Sequence, residues 1–128
     1  MHVARQEKSA LTKLELRIMQ AVWRLGPSTV SAVQESLEPP LAYTTVQTML
    51  NILERKGKLK RMLQGRAYVY SAVVSEAKAS SHAVRDLIDR MFGGSTEELV
   101  MSLLKSRQID AKQIAKLSKM LEKEGEDA

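Results

Sequence analysis

The stretch "AYTTVQTMLNILERKGKLKRMLQGRAYVY", Ala42 to Tyr70, decides the fold. It opens with hydroxyl-bearing residues, passes into an apolar stripe, turns strongly basic, and then alternates about a tight turn. Val46, Met49 or Leu50, and Leu53 recur at helical spacing from a start near Tyr43. Gly57 ends that helix, just after Arg55 and Lys56 place positive charge at the negative end of its dipole. Beyond it, apolar residues fall roughly at every second position on either side of Gln64-Gly65-Arg66, a turn signal between two strand-like runs. The expectation is a helix leading straight into a β-hairpin.

Upstream, "LTKLELRIMQAVWRLG" sets Thr12 and Glu15 in capping-box spacing, with Leu14, Ile18, Val22 and Leu25 at helical intervals until Gly26-Pro27. "STVSAVQESL" reads as a shorter helix capped by Ser28 or Thr29, with Val30, Val33 and Leu37 on one side. Pro39-Pro40 closes it, because a residue before proline is pushed out of the helical region. Downstream of Ser75 the period is helical again. One helix carries Ala83, Val84, Leu87, Ile88 and Met91, and Gly93-Gly94 breaks it. A second opens on Ser95 and Glu98 as another capping box, and a third opens at Asp110 and Gln113, striped by Ile114, Leu117 and Leu121.

Three helices and then a hairpin is the element order of a winged helix-turn-helix, in which the third helix enters the major groove and the hairpin reaches the flanking backbone. The fold class expected is therefore mainly α with a small β-hairpin. A winged helix-turn-helix over residues 9–74 is followed by a C-terminal helical arm over 75–124, with 1–8 and 125–128 as flexible termini.

Charge agrees with a polyanionic partner. Residues 1–74 hold 11 Lys and Arg against 5 Asp and Glu, whereas residues 75–128 hold 9 against 10. The whole basic excess therefore lies in the first part. Arg55, Lys56, Lys58, Lys60, Arg61 and Arg66 follow one another with no acidic residue between them. This run lies where phosphates would pass in a winged helix. At the front of the third helix, just after Tyr43, stand Thr44, Thr45, Gln47 and Thr48. Threonine can donate to phosphate or set its methyl against thymine, and glutamine can pair with adenine. Ser28 and Thr29 offer N–H groups at the second helix's start to another phosphate.

Other classes fall away. The chain has no cysteine, which removes disulfides, thiolate metal sites and thiol catalysis. His2 and His82 are far apart with no carboxylate cluster beside them, so neither a metal nor a cofactor is expected. There is no Ser-His-Asp set and no Gly-rich phosphate loop. No apolar run reaches signal-peptide or membrane-span length, so a soluble cytoplasmic protein with no membrane insertion is expected.

"LTKLELRIMQAVW", "AYTTVQTMLNILERKG" and "GRAYVY" resemble the corresponding segments of the penicillinase-repressor (BlaI/MecI) family of bacterial transcriptional repressors. The similarity spans roughly residues 9 to 122. It implies a homodimer on a palindromic operator, with Thr44, Thr45, Gln47 and Thr48 at base- and phosphate-contacting positions and Arg66 on the wing. Family members often carry basic side chains where Thr44 and Gln47 stand. The resemblance also implies a partner, a membrane-sensor protease system that ends repression by cleavage at an Asn-Phe bond in the arm. This chain has a single Asn, Asn51, and a single Phe, Phe92. In the matching "LVMSLL" it presents Ser102-Leu103 instead. A copper-sensing branch of the family uses a cysteine cluster that is absent here.

Periodicity fits the dimer that the resemblance implies, the alternative being a tail folded back onto the winged domain. Ala83, Leu87 and Met91, with Val100 and Leu104 and with Leu117 and Leu121, make stripes more apolar than a thin three-helix tail can bury alone. The competing function is a winged-helix interaction module whose basic face meets acidic partners, or DNA without discrimination.

Overall fold

The computed structural model describes residues 11–127. The predicted tail at 1–8, His2 and residue 128 lie outside the described residues.

Thr12 starts the fold as the sequence requires. Its hydroxyl accepts from the Glu15 N–H at 3.1 Å, and its own N–H donates to Glu15 Oε1 at 2.8 Å. This reciprocal cap opens α1, Lys13–Leu25, and Gly26 at φ 81° closes it. Thr29, rather than Ser28, caps α2, Val30–Ser36, by accepting from the Ala32 N–H. Arg17 donates to the Pro39 carbonyl and Gln34 to that of Leu41, so the proline-bearing linker is fastened at both ends. The third helix, α3, runs Tyr43–Arg55. Gly57, at φ 78°, lets the chain reverse into β1, Leu59–Gln64.

β1 pairs antiparallel with β2, Ala67–Ala72, in the register Gln64↔Ala67 to Leu59↔Ala72. The two-residue turn puts Gly65 first at φ 63°, a glycine-first arrangement favoured in tight hairpins. One pairing was not foreseen. Ser28 bridges Tyr70, exchanging N–H···O bonds of 3.0 and 2.8 Å, so the α1–α2 link acts as a third strand at the hairpin's base.

The core forms where these elements meet. Ile18, Met19, Val22, Val33, Val46, Leu50, Leu53, Leu59 and Tyr70 are all but removed from water. Each large apolar side chain contributes about 1.5–3 kcal/mol by burial. The α2 and α3 stripes lie as expected, with Leu50 rather than Met49 fully inside. The α1 stripe is rotated, because Glu15, Met19 and Ala21 are buried while Leu25 is exposed. Trp23 packs on the core and donates its indole N–H to the Val74 carbonyl at 3.0 Å.

Beyond the hairpin come α4 (Glu76–Met91), α5 (Thr96–Lys105) and α6 (Ala111–Asp127). The glycine break holds, with Gly93 at φ 55° and Gly94 at φ 83°. The Ser95 box is half made: its hydroxyl accepts from the Glu98 N–H. Asp110 and Gln113 cap α6 reciprocally at 2.8 and 2.9 Å. Helix continues through residues 125–127, where a flexible terminus was expected. The described residues divide into two compact units, one ending at Ala83 and the other beginning at Val84, within α4.

Candidate nucleic-acid interface

Helix geometry separates α3 into two faces. At about 100° per residue, Val46, Leu50 and Leu53 point one way, while Thr44, Gln47, Thr48, Asn51 and Arg55 form a stripe on the opposite side. The first three are fully buried. Thr44, Gln47, Thr48 and Arg55 are exposed, and Asn51 is half-buried. Thr45 sits half-buried beside Val46, and Tyr43 stands exposed at the helix start.

A threonine in a first helical turn is often a cap, but not here. The N-cap is Ala42, which has no side-chain bond to give, and no acidic residue occupies the first turn. Among the described residues, Thr44, Gln47 and Thr48 make no side-chain hydrogen bond. Their donors and acceptors therefore face water, next to a helix N-terminus that favours anions.

The hairpin stands beside this stripe. Residues 60 to 68 are exposed throughout, and Arg66 lies at the tip. Arg61 reaches back: its guanidinium sits 4.4 Å from the centroid of the Tyr68 ring and donates to Asn51 Oδ1 at 3.3 Å. The Tyr70 hydroxyl donates to the same oxygen at 2.7 Å. The neighbouring Tyr70 side chain raises the Arg61 pKa further above its already high value. The sequence alone marks Arg61 only as part of the basic run and does not mark Asn51 as a site residue. Asn51 lies seven positions after Thr44 on the polar stripe, which is the signal that points to it.

Two of the expected phosphate-contact residues have partners within the protein. Ser28 is 5% exposed; its N–H serves Tyr70 and its hydroxyl serves the Gly26 carbonyl at 2.6 Å, so it has no donor left for DNA. Lys56 is committed to Glu15, its Nζ lying 2.6 Å from Oε2. Burial pushes the Glu15 carboxyl up. The Lys56 hydrogen bond and charge, with the Thr12 N–H, outweigh that and hold it below the usual carboxylate range. This pair joins the end of α3 to the start of α1. Of the other expected contacts, Thr29 is half-exposed and spends its oxygen on the cap, Lys58 is half-buried ahead of β1, and Arg55 and Arg66 are exposed.

The arm places its expected contact residues differently. Leu87, Met91, Leu117 and Leu121 are exposed, Met91 by 70% and Leu121 by 68%. Ala83 is exposed as well, while Val100 and Leu104 are half-buried. Ser102 is exposed and Leu103 half-buried, and the bond between them lies inside α5. Among the described residues, no three His, Asp or Glu side chains gather to hold a metal, and no helix is long and apolar enough to cross a membrane.

Residues 11–123 match the penicillinase repressor family. The chain belongs to that family. Penicillinase repressors are DNA-binding transcriptional repressors rather than enzymes. This family member is 25% identical to the penicillinase repressor of Bacillus licheniformis over 114 residues, 88% of this chain and 89% of that one. It also matches the solution structure of the DNA-binding domain of the repressor BlaI, with 28% identity over 54% of this chain and 87% of that one and a TM-score of 0.48. A structure described as the complex structure of hsRosR-S4 shares the fold over 97% of both chains, at 17% identity and a TM-score of 0.53.

Proposed function

We propose that this repressor-family protein acts in the cytoplasm as a homodimer on a palindromic DNA operator. The carrying observation is the stripe of Thr44, Gln47 and Thr48, unbonded within the protein and set directly opposite a fully buried core face. In this reading the stripe lies in the major groove and reads base edges, while Arg55 and Arg66 meet phosphates on either side. The exposed apolar stripes of α4 and α6 pair with those of a second copy, and the two-fold axis so formed matches a palindrome. Joining two half-sites in one body raises occupancy well beyond that of either alone, and the occupied promoter excludes polymerase.

Relief follows from anything that separates the arms. Cleavage by a membrane-sensor protease system at Ser102-Leu103 requires α5 to unwind first, because the bond lies within a hydrogen-bonded helix.

The test is fluorescence anisotropy with labelled DNA from the promoter of this protein's own gene, against a scrambled duplex, over a salt series. A preference of about 10³-fold or more is expected of specific binding. Equal binding that is lost together as salt rises would leave the basic face as an electrostatic handle for acidic partners.

A further inference from the structure

We propose that Asn51 is a positioning residue that sets the angle of the wing against the DNA-reading helix. The inference rests on the DNA-binding reading above and adds to it a residue that acts through others.

The hairpin has a fixed base and an unsupported tip. At the base, Leu59 and Tyr70 are each 2% exposed, and the Tyr70 backbone is bonded in both directions to Ser28. Beyond them no side chain from Lys60 to Tyr68 enters the core. A two-stranded ribbon without a packed face is marginal on its own, so the direction of its tip depends on tethers. Hydrogen bonds from both strands to α3 converge on one atom, Asn51 Oδ1. It accepts from Tyr70 on β2 and from Arg61 on β1, and these two residues are direct partners in the register. Arginine has donors and no acceptor, so the amide must turn its oxygen toward the hairpin. The Tyr68 ring then holds the guanidinium in place from the tip side.

The consequence concerns two contacts made at once. Gln47 and Arg66 touch one duplex together only if the helix and the hairpin keep a fixed relation, and Asn51 is the residue in which the two meet. Losing that link leaves each contact intact and makes their simultaneous engagement less favourable.

Two arms test this, one of them without DNA. In the free protein, ¹⁵N relaxation is compared between wild type, Asn51→Leu and Tyr70→Phe. Asn51→Leu keeps the side-chain size, and Tyr70→Phe keeps the buried ring should the first variant unfold. Faster motion confined to amides 60–68, with α3 unchanged, is expected; unchanged wing amides overturn the inference. In the second arm, binding to the operator is measured for each variant, for Arg66→Ala and for the doubles. Each single change is expected to weaken binding by about 3- to 10-fold. The doubles should be no weaker than the weaker of their two parents, because a wing without its tip contact has no angle left to set. Losses that multiply would show Asn51 acting independently of the wing, and would overturn the proposal. Should wild type fail to discriminate between DNA sequences, the functional reading falls, and the relaxation arm alone decides the role of Asn51.

Discussion

The winged unit and the arm are built from similar helices and treat their apolar residues in opposite ways. Around α1–α3 and the base of the hairpin a closed core forms, and its polar groups are partnered: Glu15 has its lysine and Tyr70 its asparagine. From residue 75 to 125, by contrast, no described residue is fully buried. The helices there are well capped, so local signals suffice to form them, yet their stripes lie open. One unit has a closed core of its own, and the other leaves its apolar stripes exposed.

That contrast can be broken most forcefully at Leu87. Leu87→Asp puts an unpaired carboxylate into the proposed arm interface at two symmetric places, at a cost of about 3–5 kcal/mol each. Sedimentation should show monomers, while the winged unit's melt stays unchanged. A dimer that survives would move the interface elsewhere. Leu50→Ala does the reverse. It opens a cavity in the closed core and should destabilise the winged unit by about 2–5 kcal/mol in urea melts, with little change in the arm.

Lys56→Met sharpens the comparison at the polar level by leaving the Glu15 carboxylate in place without its partner. The loss of a charge-assisted bond should cost about 1.5–3 kcal/mol. The sign with pH follows from the lowered carboxyl of Glu15. Its stabilising effect is complete above the ordinary glutamate range and disappears as pH falls through the folded value. Acid melts of wild type should therefore show a limb that Lys56→Met lacks. The smallest effects lie on the proposed DNA face. Gln47→Ala should relax preference at one operator position by about 1–3 kcal/mol. Arg66→Ala should weaken all sequences alike and reduce the salt slope by about 1. Equal effects of both on every duplex would remove Gln47 from base readout.

What the sequence disclosed was local. Thr12 with Glu15, Asp110 with Gln113, the glycines at 57, 65, 93 and 94, and the α2 and α3 stripes all act within a few residues of themselves, so spacing alone reveals them. What it withheld was distant. Glu15 meets Lys56 across 41 positions, and Asn51 meets Tyr70 across 19. The partner of Ser28 is hidden for the same reason. A serine ahead of a helix reads as a cap or a phosphate contact until its strand-like bond to Tyr70 is known. Lys56 likewise looks like its basic neighbours, and only its distant carboxylate partner sets it apart. In α1, Glu15 is buried with its distant lysine partner, and Leu25 is exposed where the period alone would have kept it in.

Trp23 is the single tryptophan of the chain, and its indole N–H is bonded to Val74, two residues past the end of β2. The protein thus carries its own optical gauge at the point where the hairpin hands over to α4. Its emission reads the polarity around that one bond, so a disturbance of the chain there registers as a colour shift, with no dye attached.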